Sequence, residues 1–436
     1  MKKLTCVVLG YGDRGERYSD YARVVKDELE VVGVIDPNPV RRESAKNKFS
    51  IKEDMLFNSL EEFFKKDIRC DFVINSTMDE LHYQTAMALL DKGYNILLEK
   101  PVTSNPKELL DIKNKAEKKG LKVVVCHVLR YTPFYSTIKN IIDSGKIGKI
   151  VSLQLNEHVW YGHFVNAYVR GKWNNEKACG SGLLLAKCCH DTDLICWLNN
   201  ITEPSAVSSF GRKAFFTEEN APKGSAMRCH ECSVENCMFN AKKFEIEKNF
   251  CPMYTWGKIQ KPLEEITYEE KVEFLKTSSY GECVFKTNMD IVDRQCVSVN
   301  FKNGSIATLN MIGGTSIAGR HIHVICEFGE IVGYVEQNKI LVRVFDKENI
   351  GVNEEIIDFS AKVDLTKEDN SIGGHYGGDY YIMRDLVRFL NGEPTSSATT
   401  VIADSISGHF VVYCAEKARK TSTVVNVDNF LNDYID

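Results

Sequence analysis

Apolar and polar positions along the first part of the chain alternate between two rhythms. Short, almost wholly apolar runs at 5–9, 31–35, 72–74, 95–98 and 122–125 read as buried strands. The longer periodic stretches between them, at 14–28, 39–48, 60–65, 81–92 and 106–118, read as helices. Strands apolar on both faces and separated by helices predict a parallel sheet covered on both sides and doubly wound by right-handed crossovers. Further on, 150–160 reads as a strand, and Gly180-Ser181-Gly182 opens a helix at 183–198. Alternating runs from 296 to 344 predict successive strands of a large, open, mostly antiparallel sheet, with a last helix near 380–390. The fold class is α/β: a doubly wound domain at 1–127, then an α+β domain at 128–436. Between about 211 and 280 the periodicity gives way to a Lys- and Glu-rich insertion.

Composition narrows the function. A chain of 436 residues, 43% hydrophobic and 26% charged, is long enough for two globular cores. A net charge of -5 without a basic stripe gives no reason to expect nucleic acid as a partner. No stretch approaches the roughly 20 apolar residues that cross a bilayer, so no membrane partner is expected. The apolar run after the basic start ends at Leu9 in Gly-Tyr-Gly, which suits a first strand better than a signal peptide. Fifteen cysteines in a chain of this size fit reduced thiols and a cytoplasmic protein.

The turn after the first strand reads Gly10-Tyr11-Gly12-Asp13-Arg14-Gly15, a complete G-x-G-x-x-G between a strand and a helix. Gly10 permits the tight turn, Gly12 lets a pyrophosphate approach the backbone, and Gly15 lets the helix pack on the sheet. The helix N-terminus offers unpaired N–H groups to phosphate. Asp36, ending the second strand, is placed to accept the adenosine ribose hydroxyls. These features predict a Rossmann domain binding NAD, with Arg41 and Arg42 leaving NADP open.

At the end of the strand beginning at Asn95 stands Leu97-Leu98-Glu99-Lys100-Pro101, preceded by Val73-Ile74-Asn75-Ser76-Thr77, His82 and the stretch from Ala86 to Gly93. This order resembles the glucose–fructose oxidoreductase / inositol dehydrogenase (Gfo/Idh/MocA) family, and Arg130-Tyr131-Thr132-Pro133 resembles its turn into the second domain. The resemblance implies an NAD(P)-dependent dehydrogenase. Ser76, Thr77, His82, Glu99, Lys100 and Pro101 join the glycine turn around the cofactor, with the Pro101 peptide bond expected to be cis. Lys100 then sits beside the nicotinamide, and His190 on the 183–198 helix exchanges the substrate hydroxyl proton. Lys187 and His190, three residues apart, share a helical face, and Lys187 joins Lys100 and His190 as a candidate catalytic residue. Where the family often has an aspartate four residues before this histidine, the chain has Ala186 followed by Lys187. That departure points away from inositol-type substrates and toward an anionic sugar met by Lys187, Arg170 and Lys172. Arg130, Tyr131, Arg170, Trp173, Asp191 and His375, the last in Gly373-Gly374-His375-Tyr376-Gly377-Gly378, are the expected substrate contacts. The resemblance also implies a homodimer or homotetramer.

Within the insertion, Cys229-His230-Glu231-Cys232, Cys237 and Cys251-Pro252 crowd four thiols into a short window. C-x-x-C lets one turn present two sulfurs to a single ion. A structural zinc held by Cys229, Cys232, Cys237 and Cys251 is the leading metal reading, ahead of an iron–sulfur centre, and free thiols are the alternative.

The expected function is hydride transfer between nicotinamide and a hydroxyl carbon of a sugar, sugar acid or polyol. Two alternatives share the same residues: an NAD-retaining glycosidase that oxidises transiently, eliminates, hydrates and re-reduces, and a non-catalytic NAD-binding regulator. Retention of both Lys100 and His190 speaks against the regulator, which needs no proton relay.

Overall fold

The computed structural model describes residues 1–359 and 374–434. Strands β1 (Leu4–Leu9), β2 (Leu29–Ile35), β3 (Leu56–Phe57), β4 (Phe72–Asn75), β5 (Asn95–Leu98) and β6 (Val123–Val125) form one sheet in the order β3-β2-β1-β4-β5-β6. Every neighbouring pair is parallel, as the doubly apolar strands require. Chain order reverses between β1 and β4, so the loops after β1, β4 and β5 open on one crevice at the carboxyl edge. The helix expected over 14–28 is shorter, in two pieces, Asp13–Ser19 and Tyr21–Val24. Two consecutive β-branched residues end it: Val25 leaves the helical region, and β2 starts at Leu29.

The second sheet has nine strands: β7 (Ile150–Trp160), β8 (Pro204–Arg212), β9 (Arg294–Phe301), β10 (Ile306–Thr315), β11 (Gly319–Cys326), β12 (Gly329–Tyr334), β13 (Lys339–Asp346), β14 (Gly351–Asp358) and β15 (Val425–Asn426). Their order is β14-β13-β12-β11-β7-β10-β9-β8-β15. Among the described residues only β7 and β10 pair in parallel; the other neighbours are antiparallel. The sheet therefore reaches beyond the predicted 296–344 run at both edges.

Helix Leu183–Leu198 lies between this sheet and helix Ile402–Thr421 and is buried at every position except Lys187. A helix apolar on nearly all faces belongs in a core, and its polar residues are desolvated with it. Backbones meet closely there: a Cβ on Gly408 would lie 2.9 Å from Asp193 Cα. The insertion folds into short helices at Pro252–Trp256 and Tyr268–Thr277 with a six-residue π-helical stretch at Lys242–Glu247. Ala241, Trp256, Ile266, Leu275 and Tyr280 form a small core of its own. Among the described residues no helix is long and apolar enough to cross a membrane.

Candidate active site

The glycine turn follows β1, where the chain must reverse tightly beneath the sheet edge. Gly10 has φ +85°, and a Cβ there would stand 2.7 Å from the Ser76 carbonyl oxygen. A Cβ on Gly15 would meet the Gly10 carbonyl oxygen at 2.2 Å. Gly12 differs: its nearest neighbour would be an Arg41 guanidinium nitrogen at 3.7 Å, so the protein alone does not demand a glycine. The bare backbone at the N-cap of helix Asp13–Ser19 leaves room for a phosphate group. Gly12→Ala is thus expected to leave the melting temperature nearly unchanged while weakening dinucleotide binding by about tenfold or more. Gly15→Ala should instead destabilise the fold by about 1–3 kcal/mol through overpacking. Nucleotide titration and thermal melting of both variants separate the two roles.

Asp36 is buried at the end of β2, where its carboxylate accepts the Tyr11 and Asn38 backbone N–H groups, both at 2.8 Å. Arg41 stands 3.6 Å away, and the Arg42 guanidinium donates to the Asp36 carbonyl. Ser76 Oγ donates to the Gly10 carbonyl at 2.8 Å and Thr77 Oγ1 to Asn75 Oδ1 at 2.9 Å, tying the loop after β4 to the turn. His82 bridges the Pro101 and Thr77 carbonyl oxygens at 2.6 and 3.1 Å.

Glu99, Lys100 and Pro101 follow β5, and the Lys100–Pro101 peptide bond is cis. Glu99 accepts hydrogen bonds from Tyr18 Oη at 2.6 Å and Arg14 Nε at 3.0 Å. Burial alone would raise its carboxyl, but Arg14, Lys100 and the Tyr18 hydroxyl outweigh it and hold the group below the usual carboxylate range. Lys100 Nζ reaches across to helix Leu183–Leu198 and donates to the Ala186 carbonyl at 3.0 Å. His190 is one helical turn beyond Ala186. The residue is 5% exposed, and its Nδ1 has no hydrogen-bond partner. Burial first, then the Lys100 ammonium and the neighbouring His127, push the imidazole well below its ordinary pKa and keep it neutral. His375 closes the other side, its ring centroid 6.1 Å from that of His190. His375 and Tyr376 both hold left-handed backbone, at φ +49° and +54°, an uncommon conformation for residues with a side chain. His375 Nδ1 lies 3.1 Å from Asp379, and Asp379 also pairs with Arg14 at 2.6 Å. Gly373, read with this loop, lies outside the described residues.

Residues 4–127 match the NAD-binding Rossmann domain of the Gfo/Idh/MocA oxidoreductase family, and residues 135–234 match that family's C-terminal domain. The chain belongs to the Gfo/Idh/MocA family. As such it is an NAD(P)-dependent oxidoreductase, in keeping with the turn and the crevice just described. A putative oxidoreductase of Bacillus subtilis, YteT, is 24% identical over 84% of this chain and 83% of its own. Among solved structures, levoglucosan dehydrogenase in complex with NADH and levoglucosan shares the fold at a TM-score of 0.68 and 16% identity, covering 98% of this chain and 99% of that one. The WlbA dehydrogenase of Bordetella pertussis, in complex with NADH and UDP-GlcNAcA, does so at 0.66 and 14%, covering 98% of each.

Not every polar residue expected in this Gfo/Idh/MocA site faces the crevice. Arg130 is 2% exposed and clasps Asp193 with two hydrogen bonds, at 2.7 and 2.5 Å, beneath the Trp197 ring. Tyr131 is buried against Thr400, whose backbone N–H it accepts at 3.0 Å. Arg130 thus supports the helix that carries His190, and Tyr131 ties the start of the second domain to the stretch before helix Ile402–Thr421. Breaking the Arg130 pair strands a buried carboxylate, so Arg130→Met is expected to cost about 3–5 kcal/mol in denaturant unfolding.

Arg170, 1% exposed, is likewise removed from the substrate set: it binds the Phe239 carbonyl at 2.7 Å and Glu245 at 3.3 Å, joining the site wall to the insertion. Lys187 pairs with Glu157 at 3.3 Å, and Asp191 with Arg320 at 3.0 Å. Lys172 Nζ lies against the Trp173 ring, and Trp173 Nε1 donates to Asp79 at 3.0 Å. Lys187, Arg170 and Lys172 are thus each engaged by other protein groups and do not converge as the anion pocket that the departure at Ala186 suggested.

Two groups near the site escaped the sequence reading. His163 follows β7 and is pushed down to about 3, by burial first and then by Lys187 and Lys100. Tyr254, from the insertion, packs its ring 5.6 Å from His163 and 5.9 Å from Trp173. The aromatic run Trp160-Tyr161-Gly162-His163, directly after a predicted strand, was the available signal.

Proposed function

We propose that the chain oxidises a secondary hydroxyl of an uncharged sugar or polyol, or reduces the matching ketone. The observation that carries this reading is Lys100 bonded to the Ala186 carbonyl, one turn from the buried, neutral His190. Bound NAD(P) supplies the acceptor for the carbinol hydrogen as hydride. The chain's own part is the proton. A neutral imidazole accepts the hydroxyl proton as the carbonyl forms, while the Lys100 ammonium donates a hydrogen bond to the oxygen and disfavours charge loss in the wrong order. Burial of His190 excludes the water that would compete for that proton.

Charge matching supports an uncharged substrate. Arg14 is met by Asp379 and Glu99, Lys187 by Glu157, and Arg320 by Asp191 and Glu157. Lys100, whose hydrogen-bond partner here is a neutral carbonyl, is suited to a hydroxyl.

The test is a panel of neutral sugars, polyols, uronates and aryl glycosides with NAD and with NADP, following reduced nucleotide and released aglycone together. Reduced nucleotide should accumulate with uncharged substrates. Aglycone release without that accumulation would establish the glycosidase reaction instead, and a clear preference for uronates would overturn the charge argument.

A further inference from the structure

The insertion assembles a set of thiols that sequence spacing alone does not identify. Cys229, Cys232 and Cys237 line one small cavity together with Cys283, and Cys251 does not line it. A short 3-10 turn over Cys229–Glu231 brings the C-x-x-C pair together. Cys283 arrives from the far end of the insertion through an isolated antiparallel bridge between Arg228 and Glu282, and its N–H donates to the Met227 carbonyl at 2.9 Å. The cavity measures about 20 Å³, room for one water-sized particle. None of the fifteen cysteines is paired in a disulfide.

We infer that Cys229, Cys232, Cys237 and Cys283 bind one zinc ion as four thiolates. Their spacing joins a C-x-x-C turn to two further thiols, which suits a closed tetrahedral structural site. Among the described residues no three His, Cys, Asp or Glu side chains already stand at coordination geometry. Binding therefore draws the sulfurs inward by rotation about their Cα–Cβ bonds, and the thiol protons leave to solvent. A zinc ion with four thiolates carries a net double negative charge. Arg170 stands ready against it, its guanidinium 3.5 Å from Cys229 Sγ, and Lys286 donates to the carbonyl of the lining residue Ser225 at 2.8 Å.

The ion would staple a segment whose own core is only five buried residues. Through Arg170, which also holds Phe239 and Glu245, it would fix the wall carrying His163 and the insertion's Tyr254. The zinc is structural and takes no part in proton or hydride movement.

Metal analysis of the full-length protein, purified without chelator, should find about one zinc per chain. Cobalt(II) added to the chelator-treated protein should give the intense visible bands and near-ultraviolet sulfur-to-metal band of a tetrathiolate site. Neither measurement depends on a variant folding. Cys283→Ser should lose at least tenfold in zinc content, as should Cys232→Ser, whereas Cys251→Ser should retain it. One equivalent of zinc should also raise the melting temperature of the stripped protein. A chain with no zinc and no cobalt bands, iron with labile sulfide in its place, or zinc lost in Cys251→Ser but kept in Cys283→Ser would each overturn the assignment.

Discussion

Replacing Lys100 with methionine is expected to lower kcat by about 100- to 10,000-fold while leaving dinucleotide affinity within a few-fold of the unmodified chain. Methionine keeps the length of the side chain and removes the charge. Lys100 stands after β5 with its amine on the Ala186 carbonyl, while the glycine turn and Asp36 lie after β1 and β2. Losing the amine removes the donor that steadies the reacting oxygen but leaves the phosphate and ribose sites alone. Steady-state kinetics beside nucleotide titration measure the two effects separately. A variant that bound nucleotide poorly but turned over normally once saturated would show that Lys100 serves the cofactor and not the chemistry.

His190→Asn should reduce kcat by a similar factor, and the pH profile of the unmodified enzyme carries the second half of this prediction. A group whose folded pKa is depressed stays deprotonated further into acid. Burial and the Lys100 ammonium depress His190, so the acid limb of kcat/KM for alcohol oxidation should lie below the ordinary histidine value of about 6.5. Lys100→Met removes one of the depressing charges, and the residual activity should show that limb moved upward. An acid limb at or above 6.5 that ignored the Lys100 substitution would mean that another group is the base.

The Rossmann half was legible because its strands are buried on both faces and so spell themselves as unbroken apolar runs. The runs at 95–98 and 5–9 fall on β5 and β1 almost residue for residue. The second sheet was legible only in its middle. β14 is exposed along most of its length and lacks the alternation that marks a half-buried strand. At the site, residues named by local motifs were read more surely than residues defined by a distant partner. Arg130 meets Asp193 across 63 residues of chain and Arg170 meets Glu245 across 75, and no local pattern reveals a buried partner. The cysteines repeat the lesson. Cys251 is nearer in sequence, but the bridge between Arg228 and Glu282 is a tertiary event that brings Cys283 instead.

Deuterium transfer from a substrate labelled at its carbinol carbon tests the central claim most directly. With the best neutral substrate from the panel and oxidised nucleotide, mass spectrometry should find one deuteron on the reduced nicotinamide, with labelling slowed at least 100-fold in Lys100→Met and in His190→Asn. Reduced nucleotide that carries no label, or labelling at the unmodified rate in both variants, would contradict the convergence of these two side chains on the reacting hydroxyl.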